Sequence, residues 1–244
     1  MASTEAEKMW AELAPYYDVL YQWKDYRSEA ARIHQLIQSH RLSSGNALLD
    51  VACGTGEHTR YLREHYRVTG IDLNPEMLKI ARRKVPGVSF LRRDMTFFDL
   101  KRRFDAIVCL FSSIAYVRTY RKLRQTVACF GRHLKPGGIL VIEPFFTTGT
   151  FRPGSINGGT MEREGVRISR HSVSRRRGNL AVLDFHFLLS TKLGVRYFRD
   201  IHELALFDSE RFLDILEDEG LRPEFDSHGL MQDRGLYLAL KQRA

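Results

Sequence analysis

The sequence predicts an α/β chain: a doubly wound, mainly parallel seven-stranded sheet with an antiparallel β insertion after its fifth strand. Three observations lead there. Short, uniformly apolar runs alternate with helical stretches between residues 47 and 143. The first run ends in a glycine-rich turn, Cys53-Gly54-Thr55-Gly56. Beyond Pro144 the pattern changes to longer alternating segments separated by tight turns.

Residues 5–40 read as helical, with Trp10, Leu13, Tyr17 and Leu20, then Ala30, Ile33, Leu36 and Ile37, at spacings of three and four. Residues 1–45 are therefore expected to form an amino-terminal helical cap, rich in aromatics at Tyr16, Tyr17, Tyr21, Trp23 and Tyr26. Ala47 to Ala52 has the character of a buried parallel strand apart from Asp50, with a helix expected from Glu57. Gly54 and Gly56 let the backbone approach a ligand without a Cβ in the way. Arg67 to Leu73 is a second strand ending in Asp72, and Asn74-Pro75-Glu76 caps a helix running through Arg83. Val88 to Leu91 is a third strand leading to Asp94-Met95, and Phe104 to Phe111 a fourth, followed by Ser112-Ser113. A helix over Thr119 to His133 stops at Lys135-Pro136-Gly137-Gly138, ahead of a fifth strand, Ile139 to Glu143. The insertion, 144–206, is expected to hold three antiparallel strands, Val166 to Ser174, Leu180 to Thr191 and Arg196 to Leu206, behind a glycine-punctuated loop. A helix from Asp208 to Glu219 and strands at Arg222 to Phe225 and Leu236 to Leu240 return the chain to the core, which spans 46–143 and 207–244.

Composition narrows the partners. No apolar run is long enough to span a bilayer, and Met1 to Trp10 lacks the apolar centre of a signal peptide, so a cytoplasmic protein without a membrane partner is expected. The three cysteines, Cys53, Cys109 and Cys129, have no C-x-x-C spacing and read as small buried thiols rather than metal ligands. A net charge of +9 favours an anionic partner, either a phosphorylated small molecule or nucleic acid. The absence of a recognisable RNA-binding module disfavours the second.

The glycine turn lacks the third glycine of a dinucleotide fingerprint, Thr59 standing there, and Asp50 inside the motif disfavours a neighbouring phosphate. Asp50 suits a ligand bearing an ammonium group, as S-adenosylmethionine does. Asp72, sixteen residues beyond Gly56, is placed to accept from ribose hydroxyls. Asp94 is placed to receive an adenine amino group, with Met95 packing on the ring. On the acceptor side, Tyr116, Glu143, His171 and His186 are candidates to orient an amine or take its proton, and Arg170, Arg175 and Arg234 to bind a phosphate.

Four motifs, Leu48 to Gly56, Val68 to Leu78, Arg93-Asp94-Met95 and Leu134 to Gly138, jointly resemble the class I S-adenosylmethionine-dependent methyltransferases, with a Rossmann-like fold. The resemblance implies S-adenosylmethionine as cofactor, with Gly54 and Gly56 approaching its methionine part, Asp72 holding the ribose, Met77 and Met95 sandwiching the adenine and Asp94 bonding its amine. Tyr17 resembles the aromatic residue that closes over the sulfonium in several members. Ala52, Leu73, Phe111 and Ser112 complete the expected cofactor site, with Ser113 beside Tyr116 on the acceptor side. Cys109 to Tyr116, Val141 to Phe146, Ile168 to Ser172, Leu204 to Phe207 and Arg234 to Tyr237 resemble the nucleotide-linked aminosugar N,N-dimethyltransferases, although Tyr116 stands where those enzymes carry a histidine. N-methylation of a small molecule by Tyr17, Tyr116, Glu143 and His186 is the expectation, and the insertion sheet is expected to serve as substrate wall, homodimer surface or both. Methylation of a hydroxyl or of nucleic acid, or cofactor binding without catalysis, stays open.

Overall fold

The structure, a computed structural model, describes residues 12–231 and 233–242. Trp10 and the start of the expected first helix lie outside them. A 3₁₀ turn at Ala14–Tyr16 leads into α1 (Tyr17–Leu20) and α2 (Tyr26–His40). The Asp25 side chain caps α2 by accepting from the Ser28 N–H at 3.0 Å.

The core then alternates: β1 (Ala47–Val51), α3 (Glu57–Leu62), β2 (Arg67–Asp72), α4 (Pro75–Lys84), β3 (Ser89–Arg92), β4 (Phe104–Cys109), α5 (Tyr120–His133) and β5 (Leu134–Ile142). Asn74 caps α4 as expected, accepting from the N–H groups of Glu76 and Met77. The fifth strand corrects the expected stop at Lys135 to Gly138. These residues are part of the strand, which pairs Phe104 with Leu134 and then shifts register to pair Ala106 with Ile139. Gly137, at φ +75, makes the irregularity possible, and its carbonyl accepts from Leu42 and Ser43 at 2.8 and 2.9 Å.

The insertion holds four strands rather than three: β6 (Ile156–Arg163), β7 (Val166–Arg177), β8 (Leu180–Thr191) and β9 (Gly194–Ala205), antiparallel in that order. The missed strand, β6, contains Gly158 and Gly159 and is almost wholly exposed, so it lacks the apolar alternation that marks a strand. The chain closes with α6 (Ser209–Asp218), β10 (Leu221–Asp226) and β11 (Leu236–Lys241). The main sheet runs β10-β11-β5-β4-β1-β2-β3, parallel from β5 through β3, with β11 antiparallel to β5.

Alternate strand residues bury against opposite helical layers. Leu49, Val51, Ile107, Cys109, Leu140 and Ile142 cluster with Leu123, Val127 and Phe130 of α5 and Phe212, Ile215 and Leu216 of α6. Leu48, Ala106, Val108, Ile139 and Val141 cluster with Ala30, Ile33, Leu36 and Ile37 of α2. The amino-terminal residues Leu13 and Leu20 pack on Ile168, Phe187 and Leu189 of the insertion sheet. No described helix is long and apolar enough to cross a membrane. Phe212 is fully buried and stacks on Tyr237 at 4.2 Å and 6°. Its replacement by alanine is expected to cost about 3–5 kcal/mol, read as a lowered urea midpoint with unchanged slope.

Candidate functional site

Parallel pairing in register brings the carboxyl ends of four strands to one edge: Val51 pairs with Ile71 and Cys109, and Cys109 with Ile142. Ligands of open α/β sheets bind outside this edge. The residues just beyond it are Ala52 to Gly56, Asp72, Leu110 to Ser113 and Glu143.

The backbone there is strained. Ala52, Phe111 and Ser112 hold left-handed φ values of 55°, 52° and 59°, a conformation that costs a non-glycine residue about 1–3 kcal/mol. Surrounding bonds enforce it. The Phe111 N–H donates to Glu143 Oε2 at 2.6 Å, and the Ser112 hydroxyl donates to the Pro144 carbonyl at 2.7 Å while accepting from Arg234 at 2.8 Å. Gly54 and Gly56 take φ values of +54° and +79°, and no atom lies within 4 Å of where a Gly54 Cβ would stand.

Asp72 joins the two sides of the turn. Its Oδ2 accepts from the Gly54 N–H and its Oδ1 from the Asn74 N–H, both at 2.8 Å. Each oxygen keeps a lone pair for a ribose hydroxyl. Burial raises the Asp72 carboxyl despite these donors. Asp50 is more deeply buried, which pushes its carboxyl up to about 6, although the Thr59 hydroxyl donates to it at 2.5 Å. Ionising Asp50 in place costs about 3 kcal/mol, which a ligand ammonium would offset.

Tyr17, Asp50, Ala52, Gly54, Phe111 and Ser113 line one cavity. Tyr26, from the aromatic cluster of the cap, lines it too, as do Cys53, Thr55, Glu57, His58 and Leu110, which the sequence did not single out as ligand-site residues. The cavity measures about 50 Å³ beneath the seated cap. Two polar clusters hold the cap down. Asp18 accepts from the Thr55 hydroxyl at 2.7 Å and pairs with Lys84 at 2.6 Å. Glu29 pairs with Lys24 and, at 2.7 Å, with His58; burial raises the Glu29 carboxyl, but these two partners outweigh it and leave it lowered.

Other expected cofactor residues sit at the margin. Met77 is buried and Leu73 is 59% exposed. Met95 is half-buried against the core. Asp94 is exposed and accepts at Oδ1 from both the N–H and the hydroxyl of Thr96 at 2.8 Å, leaving Oδ2 for an adenine amine.

The acceptor-side residues divide by sheet face. On the insertion's inner face, Arg170 donates to the Tyr21 hydroxyl at 3.1 Å and lies over the Tyr21 and Phe185 rings. Arg234 is stacked over Phe145 and Phe146. Tyr116 bonds to His202. His186 and Arg175 are corrected: the strand period of two puts them, with His171, on the opposite face. There His186 bonds to the Tyr197 hydroxyl at 2.6 Å and Arg175 lies 4.0 Å from Asp184, so neither reaches the cavity. Glu143 is also corrected as a catalytic group. It is fully buried, offers no surface to an acceptor, and acts on the Phe111 backbone instead.

A seven-stranded doubly wound sheet with an acid-clasped glycine turn at its carboxyl edge defines a nucleoside-binding α/β enzyme fold. A methyltransferase domain matches residues 48–138. The dTDP-3-amino-3,4,6-trideoxy-alpha-D-glucopyranose N,N-dimethyltransferase of Streptomyces venezuelae is 37% identical over 93% of this chain and 97% of its own. The crystal structure of Streptomyces venezuelae DesVI superposes with a TM-score of 0.88 at 36% identity, covering 95% of this chain and 98% of that one. The SAM-bound CalS10 structure, an amino pentose methyltransferase from Micromonospora echinaspora, gives a TM-score of 0.82 at 30% identity, covering 99% of each chain. The chain belongs to the family of S-adenosylmethionine-dependent sugar N-methyltransferases. It is a methyltransferase, and its cofactor is S-adenosylmethionine.

If Asp50 meets the cofactor ammonium, binding requires its ionised form and strengthens as pH rises through about 6. Calorimetric titration with S-adenosylhomocysteine is expected to show roughly tenfold weaker affinity at pH 5 than at pH 8. Asp50→Asn should flatten that dependence; an equal slope in the variant removes Asp50 from this role.

Proposed function

We propose that the chain N-methylates the amino group of a nucleotide-linked aminosugar. The observation that carries this reading is the pair of guanidiniums near Tyr21. Burial raises the Tyr21 phenol and the nearby Arg170 and Arg234 guanidiniums oppose it, Arg170 donating to the Tyr21 hydroxyl and Arg234 to that of Ser112. Two cationic forks at the acceptor end of a nucleoside site suit a diphosphate. The curated relatives support the rest, since those from Streptomyces venezuelae and Streptomyces fradiae act on dTDP-linked amino sugars.

The cofactor supplies a methyl group already activated by its sulfonium. What remains for the protein is to align the amine and exclude water. Asp50, Asp72 and the glycine turn would hold the cofactor, with Asp94, Met77 and Met95 toward its base and Tyr17 closing from the cap. Arg170 and Arg234 would fix the diphosphate, leaving Ser113 and Tyr116 beside the sugar. The cytoplasm is the compartment this reading implies. Mass spectrometry after incubation with a dTDP-aminosugar is expected to show gain of one or two methyl groups, and none with the matching hydroxysugar. Arg170→Gln should raise KM for the nucleotide sugar roughly tenfold or more while S-adenosylhomocysteine binding is unchanged. Methylation of the hydroxysugar instead would overturn the reading.

The insertion's outer face carries Val173, Leu188, Val195, Tyr197 and Ile201, each at least 40% exposed, an apolar patch of the kind that marks an interface. We infer that a second copy of this chain covers it. Light scattering should give a dimer for the wild-type chain and a monomer for Ile201→Glu; a wild-type monomer refutes the inference.

A further inference from the structure

We propose that Tyr116, His202 and Asp200 form a relay that takes up the proton which the acceptor amine must shed at each methylation. The inference rests on the aminosugar reading above and adds to it two residues that nothing in the sequence marked.

Tyr116 lies on the 3₁₀ turn Ser113–Val117 that follows β4, next to the cavity residue Ser113. Its hydroxyl is hydrogen-bonded to His202 Nδ1, and His202 Nε2 lies 2.6 Å from Asp200 Oδ2. The two-residue spacing puts His202 and Asp200 on one face of β9, the inner face, opposite Leu183 and Phe185 of β8. The Phe185 ring meets the imidazole edge-on at 5.0 Å. Exposure falls along the chain of groups. Tyr116 is 47% exposed, whereas the His202 and Asp200 side chains are 18% and 12% exposed. The accessible end is thus a hydroxyl and the sheltered end a carboxylate.

The chemistry requires such an outlet. An amine nitrogen that gains a methyl group becomes an ammonium, and a second transfer to it needs its lone pair back. In the relay the N–H bond breaks and its electron pair stays on nitrogen. The proton passes to the Tyr116 oxygen, whose own proton passes to His202 Nδ1. The resulting imidazolium keeps its Nε2–H on Asp200, and the proton later returns through the exposed tyrosine to water. Tyr116 cannot serve alone. A neutral phenol accepts a proton only if it gives one up.

The charged groups on the inner face near His202 are Asp200 on its own strand and Arg170 of β7 over Phe185, while Glu203, held by Arg118 and Arg177, lies on the opposite face of β9.

The test follows mono- and dimethylated products of a dTDP-aminosugar by mass spectrometry across pH 6–9 in wild type, Tyr116→Phe, His202→Asn and Asp200→Asn. Each variant is expected to bind S-adenosylhomocysteine normally, to lose roughly 100-fold in kcat at neutral pH, to recover as pH rises, and to accumulate monomethyl product. Tyr116→His should rescue turnover, because an imidazole there can take the proton itself. Wild-type kcat, pH profile and product ratio in His202→Asn overturn the relay and leave the aminosugar reading intact. Should that variant fail to fold, Tyr116→Phe, which loses only the hydroxyl, decides by the same criteria. A wild-type chain that methylates no amine sinks the aminosugar reading and the relay with it.

Discussion

Two N–H groups from separate chain segments, those of Gly54 and Asn74, donate to the two oxygens of the Asp72 carboxylate. The turn after β1 can take its left-handed path only because this acid holds it against the end of β2. The same bond sets the start of α4, since Asn74 in turn accepts from the first N–H groups of that helix. A partly buried carboxylate with two backbone donors and two spare lone pairs is already organised for a diol. One side chain therefore holds both the glycine turn and the start of α4.

Around this clasp the protein buries charge to an unusual degree. Lys24 is 6% exposed and Glu143 fully buried, and a Glu143 oxygen has no hydrogen-bond partner among the described residues. Burial raises the Glu143 carboxyl, with Lys24 and Arg234 pulling it back down. Paired buried ions contribute little net stability, but breaking one pair strands the other charge. The pairs of Asp18 with Lys84 and of Glu29 with Lys24 and His58 thus act as selective fasteners. They add polar ties to the apolar contacts that α2 makes with the main sheet and that Leu13 and Leu20 make with the insertion sheet.

The insertion sheet works on both faces. Its inner face delivers Arg170, Asp200 and His202 toward the cap and the turn after β4. The outer face carries apolar residues and the Asp184 cluster with Arg175, His186 and Arg199. A one-residue change of register would exchange these sets, so the hairpin turns that fix register also fix which side chains face the cap.

The sequence by itself determined the α/β alternation, the glycine turn, the capping of α4 at Asn74 and the acids Asp50 and Asp72, because each is a local pattern whose physics acts within a few residues. It also carried the cofactor, through four motifs in fixed order. Tertiary structure decided what depends on contacts between distant segments. β6 has no apolar alternation and exists through pairing with β7. His58 meets Glu29 across 29 positions, and Tyr116 meets His202 across 86. Glu143 and His186 were both candidates to accept a proton, yet one is buried on the Phe111 N–H and the other faces away. A side chain's chemistry is written in its residue type, but its access to a ligand depends on strand register and packing, which are properties of the whole chain.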